Sequence, residues 1–221
     1  MIQELLQIDK ALFYFFNVKI ANPVFDILMP FITKDVNLRI FLVLIWIGLL
    51  IFGGKNGRIV AILLIPAIAI SDQLSSHIIK PLVSRIRPCH ELEGVRLLVG
   101  CGSGLSFPSS HAVNSFTVAT LISRFYKKHA VYLFSFSFLV SFSRIYVGVH
   151  YPADVVAGMV IGLIVGFSVV YLWIYGSELY KNKFSAGVEF VCGVRALRDY
   201  QKKNKGIQRV FCKILILKLQ Q

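Results

Sequence analysis

Three short polar clusters interrupt a largely apolar chain, and each is made of residue types that handle anions. In "KPLVSRIRP" (80–88), Lys80 and Arg87 stand seven residues apart with Arg85 between them. Arginine can grip an oxyanion with two parallel hydrogen bonds, and lysine supplies a point charge beside it. In "SFPSSHA" (106–112), Pro108 suits the first turn of a helix and Ser106 can cap it. Ser109, Ser110 and His111 would then lie at the positive end of the helix, where free backbone N–H groups bind anions. In "SRIYVGVHYPAD" (143–154), His150 precedes a helix begun near Pro152, and Asp154 falls in its first turn. That separation lets a carboxylate reach the imidazole Nδ1, fix the tautomer and leave Nε2 outward as nucleophile or base. Arg144 can point back at the same place. Each cluster taken alone also has a plain reading: a positive loop flank, a capped helix start, a structural His–Asp pair.

The elements that must position these groups are membrane helices. The 221 residues are 56% hydrophobic and only 16% charged, with eighteen Phe, nine Tyr and two Trp. Soluble domains carry nearer a quarter charged residues, and apolar stretches close to the ~20-residue spanning length recur along this chain. An all-α, polytopic helical bundle of five to six transmembrane helices follows. The clearest spans are 37–53, 58–80, 107–125, 129–149 and 153–176. Residues 1–36 read as an amphipathic helix to about residue 18, broken at "NP", then a second short helix, either interfacial or a shallow extra span. Residues 37–176 form the transmembrane core and 177–221 a basic tail.

Charge orients the bundle. Of the net +13, +8 comes from residues 181–221, with ten Lys or Arg against two acids. Together with "GKNGR" (54–58) and "RFYKKH" (124–129), the tail marks the cytoplasmic side. No nucleic-acid module accompanies this charge, so membrane lipids are the expected partners. All three polar clusters then fall on the opposite face. Cations kept there run against the usual bias and suggest an anionic partner.

The combined pattern K-x6-RP, P-S-x-H and SR-x5-H-x3-D resembles the signature of the type-2 phosphatidic acid phosphatase superfamily, over roughly residues 60–175. It is carried by Lys80, Arg87, Pro88, Pro108, Ser109, His111, Ser143, Arg144, His150 and Asp154. Ser110 stands where the family usually has glycine. The resemblance implies a lipid phosphate substrate and a phosphohistidine on His150, oriented by Asp154. His111 protonates the leaving oxygen and then activates water. Lys80, Arg87, Arg144, Ser109 and the amide of Ser110 hold the phosphate oxygens. As a whole the chain most looks like the bacterial lipid A 1-phosphatase branch, which implies an inner-membrane protein with a periplasmic site. Undecaprenyl diphosphate, phosphatidylglycerol phosphate and phosphatidate are alternative substrates. A non-catalytic anion binder or transporter and a haloperoxidase-type enzyme are the rival classes.

Other polar residues remain open. Asp72 and His77 in "SDQLSSH" (71–77) either support the cations from behind or make interhelical hydrogen bonds. Arg85, His90 and Arg96 either touch further substrate anions or are loop charges. Cys89 and Cys101 flank a loop on the oxidising side and can pair, whereas Cys192 and Cys212 fall on the reducing side. Cys89, His90 and Cys101 make a poor metal set, and three cations with a helix N-terminus could replace metal, so no metal or other cofactor is expected.

Overall fold

The computed structural model describes residues 2–102 and 104–201, with side chains for 3–102 and 104–183. Every described element is helical: α1 Ile2–Tyr14, α2 Pro23–Thr33, α3 Asp35–Phe52, α4 Gly54–Gln73, α5 Lys80–Val83, α6 Pro88–Glu91, α7 Ser110–Phe125, α8 Ala130–Tyr146 and α9 Pro152–Gln201. π-Helical turns extend α1 through Phe15–Lys19 and α4 through Leu74–Ile79. The chain divides into two compact units at residue 170, and every site residue below belongs to the first.

The N-terminal break falls where "NP" dictates it. Asn22 caps α2 by accepting from the Phe25 amide at 2.9 Å, and Pro23 supplies the fixed φ of the first turn. The two arms bend by 114°. Burial draws the first arm inward. Phe13 is wholly buried against Ala112, Ile145, Tyr151 and Val155, and Asn17 donates to the Arg96 and Tyr146 carbonyls.

Among the described residues, three helical stretches are long and apolar enough to cross a bilayer: Asp35–Phe52, Gly54–Glu91 and Pro152–Lys183, with the bent N-terminal pair as a fourth. α7 and α8, read from the sequence as spans, are 16 and 17 residues long. Their buried faces carry Thr117, Thr120, Ser137, Ser141, Ser143 and Arg144, and α8 exposes Val131, Tyr132 and Phe138 on its other side.

α7 packs against α9 through glycines one turn apart. A Cβ on Gly158 would stand 2.7 Å from the Ser109 carbonyl oxygen and 2.8 Å from the Ala112 Cβ. At Gly162 it would meet Phe116, and at Gly166 Thr120. Lipid tails are as apolar as side chains, so close backbone approach through small residues is how membrane helices gain contact. At the far end, Tyr126 donates to the Gly53 carbonyl and ties α7 to the α3–α4 corner. α9 continues as helix through residues 177–201, in the segment expected as a tail. Residues 202–221, with Cys212 and the "VFCKILILKLQQ" segment, lie outside the described residues, as does the Cys192 side chain.

Candidate active site

The loop between α8 and α9 carries His150, and its shape begins at Gly148. There φ is +89°, and a Cβ would stand 2.7 Å from the Arg96 carbonyl oxygen, so glycine is required. The turn brings the amides of Val149 and His150 back to the Arg144 carbonyl, both at 3.2 Å. His150 is thereby buried, with its Nδ1 3.5 Å from Asp154 Oδ2. This is ion-pair proximity rather than the hydrogen bond that the spacing suggested. Asp154 Oδ2 instead accepts from the Tyr151 amide at 2.9 Å, and Oδ1 accepts from Arg85 at 2.8 Å.

The N-terminus of α7 meets that loop. The Ser109 amide donates to the Asp154 carbonyl at 3.0 Å, which fixes the helix start beside His150. Two local expectations are corrected here. The helix begins at Ser110, with Ser109 rather than Ser106 at its cap position, and Pro108 lies before the first turn. Ser106 does not cap it: its hydroxyl donates to the Arg85 and Ile86 carbonyls and ties the two loop segments together. The Ser110 hydroxyl contacts Ser75 and Ser76 in the π-helical turn, which accounts for a side chain at this position. The backbone amides of the first turn have no partner within the helix.

Positive charge surrounds this point. Lys80 is half-buried at the end of the π-helical turn. Arg87 is held by the Gly104 and Cys101 carbonyls, both at 3.0 Å. Arg144 donates to Thr33 Oγ1 at 2.6 Å. Burial first, then the charges of Arg144, Arg87, Lys80 and His111, hold the His150 imidazole well below its ordinary value and keep it neutral. Ser109 Oγ, Arg144 Nε and His150 Nδ1 are buried without hydrogen-bond partners. Unmet groups of this kind cost roughly 1–3 kcal/mol each, and an anion seated among them would engage the two donors, Ser109 and Arg144.

His111 reaches the same place from α7. Its Nε2 lies 3.1 Å from Asp35 Oδ1 and 3.2 Å from the Thr33 carbonyl oxygen. The joint between α2 and α3 therefore holds both His111 and Arg144, a role the sequence did not reveal. Asp9 was also missed. It is 7% exposed and accepts from Arg85 at 2.6 Å and from the Ala153 amide at 2.8 Å. The available signal was a carboxylate on the apolar side of an amphipathic helix.

The remaining candidates separate. Arg85 faces protein carboxylates, with its guanidinium carbon 3.9 Å from the Tyr151 ring centroid. Arg96 pairs with Asp26 at 2.7 Å, and His90 lies against the Gly102 carbonyl. Asp72 accepts weakly from Ser76 at 3.4 Å and lines a cavity with His111, while His77 is exposed. Cys89 and Cys101 are disulfide-bonded across the loop that presents Arg87. With both sulfurs so engaged, the Cys89–His90–Cys101 group offers no thiolate to a metal.

Comparison with known proteins accords with this geometry. Residues 59–178 match the family model described as the PAP2 superfamily. The lipid A 4′-phosphatase of Bacteroides thetaiotaomicron is 32% identical over 169 residues, which cover 73% of this chain and 75% of that protein. The transmembrane PAP2-type phosphatidylglycerolphosphate phosphatase of Bacillus subtilis superposes with a TM-score of 0.61 at 26% identity, covering 76% and 86% of the two chains. Aquifex aeolicus LpxE gives 0.59 at 29% identity, covering 73% and 93%. A helical bundle that gathers two histidines and three cations at one end, with relatives of this kind over most of its length, belongs to the PAP2 superfamily and is a membrane lipid phosphate phosphatase.

Proposed function

We propose that the chain removes phosphate from a lipid headgroup through a phosphohistidine on His150. His150 Nε2 attacks phosphorus in line as the bond to the lipid oxygen breaks, and Asp154 balances the imidazolium that forms. His111 gives its proton to the departing oxygen, then takes one from the water that cleaves the phosphorus–nitrogen bond. Lys80, Arg87, Arg144, Ser109 and the Ser110 amide hold the equatorial oxygens. The observation that carries this reading is the buried His150–Asp154 pair, tied through the backbone to Arg144 and Ser109, whose Nε and Oγ are buried without partners. Phosphate monoesters are among the slowest substrates to hydrolyse, with accelerations of up to ~10²¹, and fixed positive charge with alignment is the main source of catalysis. The cations and the helix N-terminus supply both, so activity is expected to persist in EDTA.

The substrate class proposed is lipid A phosphate, met at the periplasmic face of an inner membrane. A cavity of about 1050 Å³ supports lateral entry of an amphiphile. It runs from Asp35 and His111 past Phe41, Val118 and Phe136 toward Tyr126, lined by α3, α4, α7 and α8. The relatives support lipid A as the headgroup, and the 1- and 4′-positions are to be assayed separately. Purified protein would be given lipid A labelled at each position, undecaprenyl diphosphate, phosphatidylglycerol phosphate and phosphatidate, with phosphate release as the readout. Preferential turnover of either lipid A position supports the reading. Preferential turnover of another lipid replaces the substrate, and release from none of them ends it.

A further inference from the structure

We infer that Asp35 is the positioning residue for His111, so that the site holds two His–Asp pairs in opposite senses. The inference rests on the role of His111 proposed above. Both partners of His111 Nε2, Asp35 Oδ1 at 3.1 Å and the Thr33 carbonyl at 3.2 Å, are acceptors. Nε2 must therefore carry a hydrogen, and Nδ1 is the nitrogen left for substrate. At His150 the assignment is reversed: Asp154 stands beside Nδ1, and Nε2 is the reacting atom.

The placement follows from the α2–α3 joint. Thr33 ends α2, Lys34 is extended at the N-cap of α3, and Asp35 opens its first turn. A carboxylate is favoured there by the helix dipole, and it projects over the first turn of α7. The same joint fixes Arg144 through Thr33 Oγ1 at 2.6 Å. Among the described residues, Arg144 from α8 and His150 from the α8–α9 loop bear on the His111 ring, Arg39 one turn along α3 bears on Asp35, and Asp72 from α4 lines the same cavity. Burial and then Arg144 disfavour the imidazolium, and Asp35, in contact with the ring, works against them.

The chemistry needs that offset. As the lipid–oxygen bond to phosphorus breaks, the Nδ1 proton passes to the departing oxygen and leaves a neutral Nε2–H ring. In the second step, water loses a proton to Nδ1 as its oxygen joins phosphorus and the His150 nitrogen departs. Each step changes the charge of His111 by one, and the Asp35 carboxylate steadies the charged form at both ends. Its side chain is 67% exposed, so water screens the pair and the effect is moderate.

The test compares wild type with Asp35→Asn, Asp35→Glu and His111→Ala on two substrates. One is a short-chain lipid phosphate, whose alkoxide must be protonated to leave. The other is p-nitrophenyl phosphate, whose leaving group needs no proton. Asp35→Asn is expected to lower kcat about tenfold on the lipid phosphate at unchanged KM, less than the ~10²–10⁴ carried by an acid–base group itself. On the aryl phosphate it should change the pre-steady-state rate of p-nitrophenolate release, which reports phosphorylation alone, less than threefold, and it should move the alkaline limb of the lipid-phosphate profile toward lower pH. Asp35→Glu is expected to restore both kcat and the limb. Equal loss of the phosphorylation rate on both substrates, an unmoved alkaline limb, or no rescue by glutamate overturns the inference. If His111→Ala behaves as wild type on both substrates, the role assigned to His111 fails instead.

Discussion

Asp9 and Asp154 share one guanidinium. Arg85 donates through Nη2 to Asp9 at 2.6 Å and through Nη1 to Asp154 at 2.8 Å, and it stacks on Tyr151 between them. The N-terminal helix is thus tied to the carboxylate beside His150. Removing Arg85 leaves two buried carboxylates uncompensated, and breaking buried pairs costs roughly 3–5 kcal/mol. Arg85→Ala is expected to lower the unfolding midpoint in detergent and to reduce kcat about 10–100-fold. A variant with wild-type stability and turnover would remove Arg85 from the site's framework.

The covalent step has a direct readout. His150→Ala is expected to lower turnover by on the order of 10⁴ or more and to prevent trapping of labelled phosphoenzyme, because no other group replaces an attacking nitrogen. His111→Ala should still form the phosphoenzyme from p-nitrophenyl phosphate. Protein quenched in detergent at alkaline pH after radiolabelled substrate, conditions under which the phosphorus–nitrogen bond survives, checks both. Labelled His150→Ala protein would disprove the nucleophile assignment.

His150 must be neutral to attack, and burial with three cations nearby depresses its protonation below the ordinary 6.5. Between that ordinary value and the depressed one, the unfolded chain binds the proton and the folded chain does not. Stability is therefore full above about 6.5 and falls as pH drops through the folded value. The acid limb of kcat/KM is expected below pH 6.5, and Arg144→Gln should raise it while weakening phosphate binding. Profiles of both proteins on one substrate check the sign.

Reduction of the Cys89–Cys101 bond should reach the phosphate through Arg87, whose guanidinium is held by the Cys101 and Gly104 carbonyls. A bridge closing a loop of this size stabilises by about 3 kcal/mol in the chain-entropy account. Cys89→Ser with Cys101→Ser is expected to lower the melting temperature and raise KM several-fold with kcat changed less. Unchanged KM in the folded double variant would separate the bridge from substrate binding.

Close packing at the α7–α9 seam positions the anion site as well as the fold. Gly158→Val places new carbon against the Ser109 carbonyl and Ala112. It should displace the start of α7 and cost more activity than Gly176→Val, where a Cβ meets nothing within 4 Å. Specific activity of the two folded variants decides this.

Much of the site was legible because its chemistry depends on local spacing. His150 and Asp154 sit one turn apart, Lys80 and Arg87 border one loop, and hydropathy alone assigned their spans to a common face. The all-helical bundle was legible for a similar reason, since long apolar runs in lipid must satisfy their backbone internally. The partners of those residues were not legible. Asp9, Thr33 and Asp35 lie in a segment whose pattern shows only an amphipathic helix and a break. Their contacts with Arg85, Arg144 and His111 depend on how the arms at Asn22 and Lys34 bend back over the bundle. Spacing along the chain determines which groups one turn can bring together; contacts between distant segments follow from packing, which buries Phe13 and Asn17 and so carries Asp9 to Arg85.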